Sequence, residues 1–169
     1  QNWDAVDDVT PDDGSSYVYT ATAGYVDFYN LLDNQVPLGS SIQRVTIFVR
    51  AAGSGATARS FRVGVRIGGQ NYWSTDFTLN TTAYTNFSYT FTQNPATNQQ
   101  WKPEDIDQLQ IGLYQVTGGR QINVTQIYAQ IEYILPVYVA ATQYYNLKLE
   151  PPQNVYYVLG TNNNQTLIV

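Results

Sequence analysis

Most nucleophilic and zinc chemistry runs on histidine or cysteine, and this chain has neither. Ser-His-Asp and Cys-His systems are therefore excluded, together with the common zinc sites. Hydrolysis of a glycosidic bond would need two carboxylates flanking it. The glutamates are Glu104, Glu132 and Glu150, joined by scattered aspartates in no recognisable setting. Glu132 has strand parity opposite to Ile131 and Tyr133, which places it in solvent. We expect no catalytic residues, no enzyme and no organic cofactor.

Three other groups of side chains can still bind. Asp7, Asp8, Asp12 and Asp13 bracket the turn at Pro11 and Gly14. Calcium is a hard cation that takes several oxygens from a loop of this kind. EF-hand spacing is absent, so a solvated acidic loop is the simpler reading and a structural Ca²⁺ the alternative. Trp3, Trp73 and Trp101, with fifteen tyrosines, supply flat faces for sugar rings. Trp73 and Trp101 are the best sugar-stacking candidates, against a competing role in core and subunit packing. Arg62 and Arg66 share one polar strand face, with Arg44 and Arg50 expected on the next strand, where pairing with acids across the sheet is favoured over reading a ligand. Sequons at Asn80, Asn86, Asn123 and Asn164 are compatible with glycosylation.

These residues need a scaffold, and the length supplies one. A chain of 169 residues fits one domain burying roughly 70% of its unfolded surface. Without cysteine, no redox compartment is implied. There is no apolar run near ~18 residues, so we expect no membrane span. No basic segment followed by an apolar stretch opens the chain, which starts at Gln1 and lacks Met; we expect removal of an initiator Met or cleavage of a longer precursor. Charged residues make up 12%, against about 25% in typical domains. Five of the thirteen acids lie within the first thirteen residues, and the remaining eight face eight bases. A neutral body without a basic face argues against a nucleic-acid partner.

The hydrophobic pattern is that of strands. Segments 17–22 and 25–31 flank Gly24. Over 42–51, Val45, Ile47 and Val49 face one way while Arg44, Thr46, Phe48 and Arg50 face the other. Over 59–67, Phe61, Val63, Val65 and Ile67 oppose Arg62 and Arg66. Gly68-Gly69 then turns into 71–79, a hairpin. Segment 84–92 buries Phe87, Tyr89 and Phe91, and 106–115 buries Leu109, Ile111 and Leu113. A helical turn is expected at 103–107, after Pro103. In 120–133, Ile122 and Val124 have one parity and Ile127, Ala129 and Ile131 the other, which a β-bulge near Thr125 reconciles. About eight such strands make an all-β, antiparallel two-sheet β-sandwich of jelly-roll type.

The domain is expected to span 1–133. Segment 134–169 carries only Lys148 and Glu150 as charges, with strand-like runs at 137–149 and 154–159. An uncharged β-prone arm must be covered. It either folds onto its own sandwich or adds a strand to a neighbouring subunit through Tyr144, Tyr145, Leu147, Leu149, Val155, Tyr157 and Leu159.

Several turn and packing motifs are familiar together: Asp12-Asp13-Gly14-Ser15-Ser16-Tyr17-Val18 after Trp3, Asp27-Phe28-Tyr29, Ile42-Gln43-Arg44-Val45, Arg66-Ile67-Gly68-Gly69, Asn94-Pro95-Ala96-Thr97 with Trp101, and Asp105-Ile106-Asp107. Over residues 2–133 this pattern resembles β-sandwich virion surface, head-decoration or fibre proteins of tailed phages, and related modules of secreted microbial proteins. The resemblance implies a fold and carries no catalytic residues. The arm is similar only in composition to surface proteins of thermophilic archaea and their viruses.

The leading expectation is therefore a non-enzymatic structural subunit of a virion surface or extracellular filament or coat, partnered with copies of itself or other subunits. The alternative is a carbohydrate-binding module of a secreted protein. Both place the chain at a virion or cell surface or outside the cell.

Overall fold

Alternating apolar and polar residues bury one face of each strand, and here two such faces close on each other. The computed structural model describes residues 2–31, 36–135, 159–161 and 164–166, without the side chains of 2, 3 and 159–166. The chain divides into two units, Gln1–Leu135 and Pro136–Val169. In the first, β1 (Val18–Thr20), β3 (Ser41–Gly53), β7 (Thr85–Phe91) and β9 (Ile122–Ile134) form one antiparallel sheet in the order β1-β9-β3-β7. The second sheet runs β2-β8-β4-β5, from β2 (Val26–Asn30), β4 (Arg59–Ile67), β5 (Gln70–Trp73) and β8 (Gln110–Gln115), with β6 (Phe77–Leu79) also on β4. The chain crosses repeatedly between the sheets, and the fold is an all-β sandwich of jelly-roll type. In the second unit, β10 (Leu159–Thr161) and β11 (Asn164–Thr166) pair antiparallel.

Val45, Ile47 and Val49 of β3 meet Phe61, Val63 and Val65 of β4 in the core, with Ile111, Ile122, Val124 and Ile127 around them. Between β7 and β8 a single helical turn, α1 (Pro103–Ile106), starts at Pro103 and buries Ile106. Among the described residues, no helix is long and apolar enough to cross a membrane.

The bulge expected from the parity conflict is present. Arg50 pairs with Gln126 but Ala51 with Val124, so Thr125 is the extra residue. A bulge frees backbone groups, and the N-terminal segment takes them up. The Ile127 N–H donates to the Val6 carbonyl at 3.0 Å, and the Val6 side chain joins the core. The buried Thr125 hydroxyl lies 3.1 Å from Asp12 Oδ1 and 3.0 Å from the Ser16 carbonyl. A second register shift, between Ile42 and Arg44, was not anticipated.

Two further expectations need correction. Segment 71–79 is not one strand: β5 and β6 are separated at buried Ser74, whose Oγ accepts the Val63 N–H at 3.2 Å. Arg44 and Arg50 are not beside Arg62 and Arg66 but in the opposite sheet, because the chain changes sheets between β3 and β4. The Gly68-Gly69 turn does form, with φ of 55° and 82°, as a two-residue hairpin requires.

Arg59 is 1% exposed and ties down the β3–β4 connection. Its Nη1 donates to the Gln121 carbonyl at 2.7 Å, and its Nη2 to those of Gly55 and Thr57, both at 2.7 Å. Its Nε donates to the Thr57 carbonyl at 3.1 Å. Four of the five guanidinium N–H donors are thereby used, which makes its burial tolerable.

Candidate functional site

The outward positions of the second sheet form a grid. One row across it is Phe28, Gly112, Gly64 and Trp73, on β2, β8, β4 and β5 in turn. Val26, Tyr114 and Arg62 make the row on one side, and Asn30, Gln110, Arg66 and Asn71 the row on the other. The middle row has aromatic residues at the ends and two adjacent glycines in the centre.

Glycine inside a strand often marks close approach of another group, and here the group is a ring. A Cβ on Gly64 would clash with the Tyr72 carbonyl and lie 2.5 Å from Trp73 Cε3. One on Gly112 would clash with the Phe28 ring and lie 2.6 Å from the Asp27 carbonyl. The two rings thus occupy the space that side chains of the central strands would fill. Phe28 and Trp73 have centroids 5.3 Å apart and tilted by 33°. Tyr114 continues the group, 5.4 Å from Trp73 and tilted by 37°. All three are half-buried, with their inner sides on the sheet. The result is a continuous aromatic platform over the two middle strands.

Polar groups surround it. The Arg66 guanidinium lies 5.6 Å from the Phe28 centroid and that of Arg62 5.7 Å from the Tyr114 centroid, both cation–π distances. Arg62 is also paired at 2.5 Å with Asp76, in the connection between β5 and β6. Arg66 forms no salt bridge among the described residues. Gln110 Nε2 donates to Asn30 Oδ1 at 2.8 Å. An apolar floor bordered by fixed donors and acceptors can hold a flat ligand carrying hydroxyl groups.

The two tryptophans proposed for stacking have separate fates. Trp73 is central to the platform. Trp101 is 2% exposed and donates its indole N–H to the Phe91 carbonyl at 3.0 Å; it is a core residue and presents no face to a ligand. Phe28, Tyr114, Gly64 and Gly112 were missed. The available signal was a glycine at an outward position within each of two otherwise regular strands.

The four N-terminal aspartates do not converge. Among the described residues no three acidic side chains come together as a cation site. Asp13 makes a two-point pair with Arg50, at 2.5 and 2.7 Å. Asp12 accepts the Ser16 N–H at 3.2 Å and the Ser16 hydroxyl at 3.0 Å. Asp7 and Asp8 are exposed. Asp12 and Asp13 are thus held by protein donors.

Both paired carboxyls titrate below the ordinary aspartate value of 3.8. For Asp13 the main cause is its bond to Arg50. For Asp12, desolvation pushes upward but is outweighed by the bonds from Ser16 and Thr125. A depressed carboxyl stabilises the fold above its unfolded pKa, and that contribution disappears as pH falls through the folded value. The tie between the N-terminal segment and the bulge should therefore loosen below about pH 4. NMR shifts of Ser16, Thr125 and Ile127 should move there before the sandwich unfolds. Shifts that stay constant until global unfolding would contradict this.

Glu132 is on the outer face of the first sheet, paired with Arg44 at 2.8 Å. Of the sequon residues, Asn80 is exposed between β6 and β7. Asn86 accepts from Arg50 Nη1 at 3.0 Å, and Asn123 from Gln121 Nε2 at 2.7 Å. The Asn164 side chain lies outside the described residues, as do Tyr144, Tyr145, Leu147, Leu149, Val155, Tyr157 and the Leu159 side chain.

No protein-family model matches the chain, and no curated protein matches it. Among solved structures it is similar to a protein titled "CBM4 structure and function", with 17% identity, TM-score 0.44, and coverage of 70% of this chain and 72% of that one. It is also similar to the N-terminal cellulose-binding domain of Cellulomonas fimi β-1,4-glucanase C, with 16% identity, TM-score 0.41, and coverage of 71% and 78%. A third is the CBM22-1 xylan-binding domain of Paenibacillus barcinonensis Xyn10C, with 13% identity, TM-score 0.37, and coverage of 67% and 85%. With identities and TM-scores this low, what the chain binds has to be argued from its own side chains.

Proposed function

We propose that the sandwich is a non-enzymatic carbohydrate-binding module acting outside the cell. The observation that carries this reading is the Phe28–Trp73–Tyr114 platform on the paired glycines Gly64 and Gly112. The C–H face of a pyranose packs on such rings. Its hydroxyls have Arg66, Gln110, Asn30 and Asn71 within the adjoining row. The structural-subunit reading rested on the resemblance over residues 2–133 and on the arm at 134–169, whose assembly residues are not among the described side chains; no observation favours it.

The test is affinity electrophoresis and calorimetry on the full chain with soluble β-glucans, xylans and uronate-bearing polysaccharides. One class should bind, and Trp73→Ala should weaken that binding about 30-fold, the effect of losing an aromatic anchor worth ~2 kcal/mol. Because Trp73 is only half-buried, the variant should melt close to the parent. The proposal fails if no polysaccharide binds, or if binding survives Trp73→Ala unchanged.

A further inference from the structure

The face that carries the platform is charged against the rest of the molecule. The chain has a net charge of −5, yet the platform row and the rows on either side of it contain Arg62 and Arg66 and no acid. Asp76 answers Arg62 from the β5–β6 connection. The two borders of the platform therefore differ. The row of Val26, Tyr114 and Arg62 is neutralised, and the row of Asn30, Gln110, Arg66 and Asn71 keeps a positive charge.

Arg66 is unlike the other arginines of the strands. Arg44 pairs with Glu132 and Arg50 with Asp13, and Arg59 is engaged by main-chain carbonyls. Arg66 makes neither a salt bridge nor a side-chain hydrogen bond among the described residues. Its contact with the Phe28 ring, 5.6 Å from guanidinium to centroid, holds the charge at the border of the platform. A guanidinium presents its N–H donors in a planar fork that fits both oxygens of a carboxylate. In the same row Gln110 Nε2 occupies Asn30 Oδ1, which leaves Asn30 Nδ2 as a further donor. Residues two apart on one strand face are separated by about 6.8 Å. That separation suits a pyranose centred on the platform row whose C5 carboxylate bonds a guanidinium in the next.

We infer that the platform selects polysaccharides bearing uronate residues. The inference rests on the carbohydrate-binding reading above and adds the charge of the ligand. The pyranose lies on Phe28 and Trp73 with its carboxylate turned toward Arg66, which donates to both oxygens, and Asn30 Nδ2 lies in the same row. The neutralised Arg62 border takes the uncharged edge of the sugar.

The test measures the affinity of the full chain at low salt for polygalacturonate, alginate and glucuronoxylan, each beside its carboxyl-reduced form. Poly-L-glutamate serves as a carboxylate polymer without pyranose rings and should not bind. At least one uronate polymer should bind about tenfold more tightly than its reduced form, the scale of one charge-assisted pair. The difference should shrink as salt rises. Arg66→Gln should abolish it, whereas Arg120→Gln, which removes an exposed charge from the β8–β9 connection, should preserve it. Trp73→Ala should weaken binding of both forms. If no uronate polymer is preferred to its reduced form, if poly-L-glutamate binds as tightly, or if the preference survives Arg66→Gln, the charge inference is overturned; the platform reading then stands as long as Trp73→Ala still weakens binding. Absence of binding to every polysaccharide would overturn both.

Discussion

Trp101→Ala is expected to destabilise the sandwich by about 3–5 kcal/mol, the cost of emptying a large buried aromatic site. The substitution also leaves the Phe91 carbonyl without its indole donor, which adds to the cost when the group stays buried. For a domain of this size a kcal/mol corresponds to ~2–4 °C, so the thermal midpoint should fall by roughly 10 °C or more. Polysaccharide affinity measured well below that midpoint should be unchanged. Trp73→Ala should show the opposite pattern, with affinity lost and stability kept. If both variants lost the same property to the same extent, the division of roles between these tryptophans would be wrong.

Gly64→Ala combined with Gly112→Ala is expected to abolish platform binding with every aromatic residue still present. The two methyl groups occupy the space of the Trp73 and Phe28 rings and press on the backbone carbonyls of Tyr72 and Asp27. Rings can turn away, but those carbonyls belong to strands paired with the glycine-bearing ones. We expect each substitution to cost about 1–3 kcal/mol, as overpacking does. Affinity should drop at least as far as in Trp73→Ala, about 30-fold. Calorimetry and denaturant titration on the two single variants would apportion the loss. Unchanged affinity in the double variant would mean that the ligand does not use the rings where the glycines hold them.

Strand identity was legible because burial alternates with period two and the sequence alternates with it. Val45, Ile47 and Val49, then Phe61, Val63 and Val65, all lie inward. The bulge at Thr125 was legible for the same reason, as a parity conflict within one strand. The shift at Ile42 was not, because the only sign is one apolar residue, Ile42, out of phase with Val45. Register between strands not joined by a tight turn was not legible. That is why Arg44 and Arg50 were set beside Arg62 and Arg66 across what proves to be a change of sheet. The platform was hidden for the same reason. Gly64 and Gly112 are 48 positions apart, with nothing local to show that they pair. Trp101 follows a loop with no alternation to report which way its ring points, so composition alone suggested a binding role that burial excludes.

Arg59 reads only main-chain carbonyls in the loop that it holds. Ser54, Ala56 and Thr57 are exposed, and none of those guanidinium bonds involves their side chains. The shape of this loop is thereby uncoupled from its side-chain identities. Residues 54, 56 and 57 form a graftable position on the rim of the sandwich, where new recognition sequences can be displayed without redesigning the scaffold beneath them.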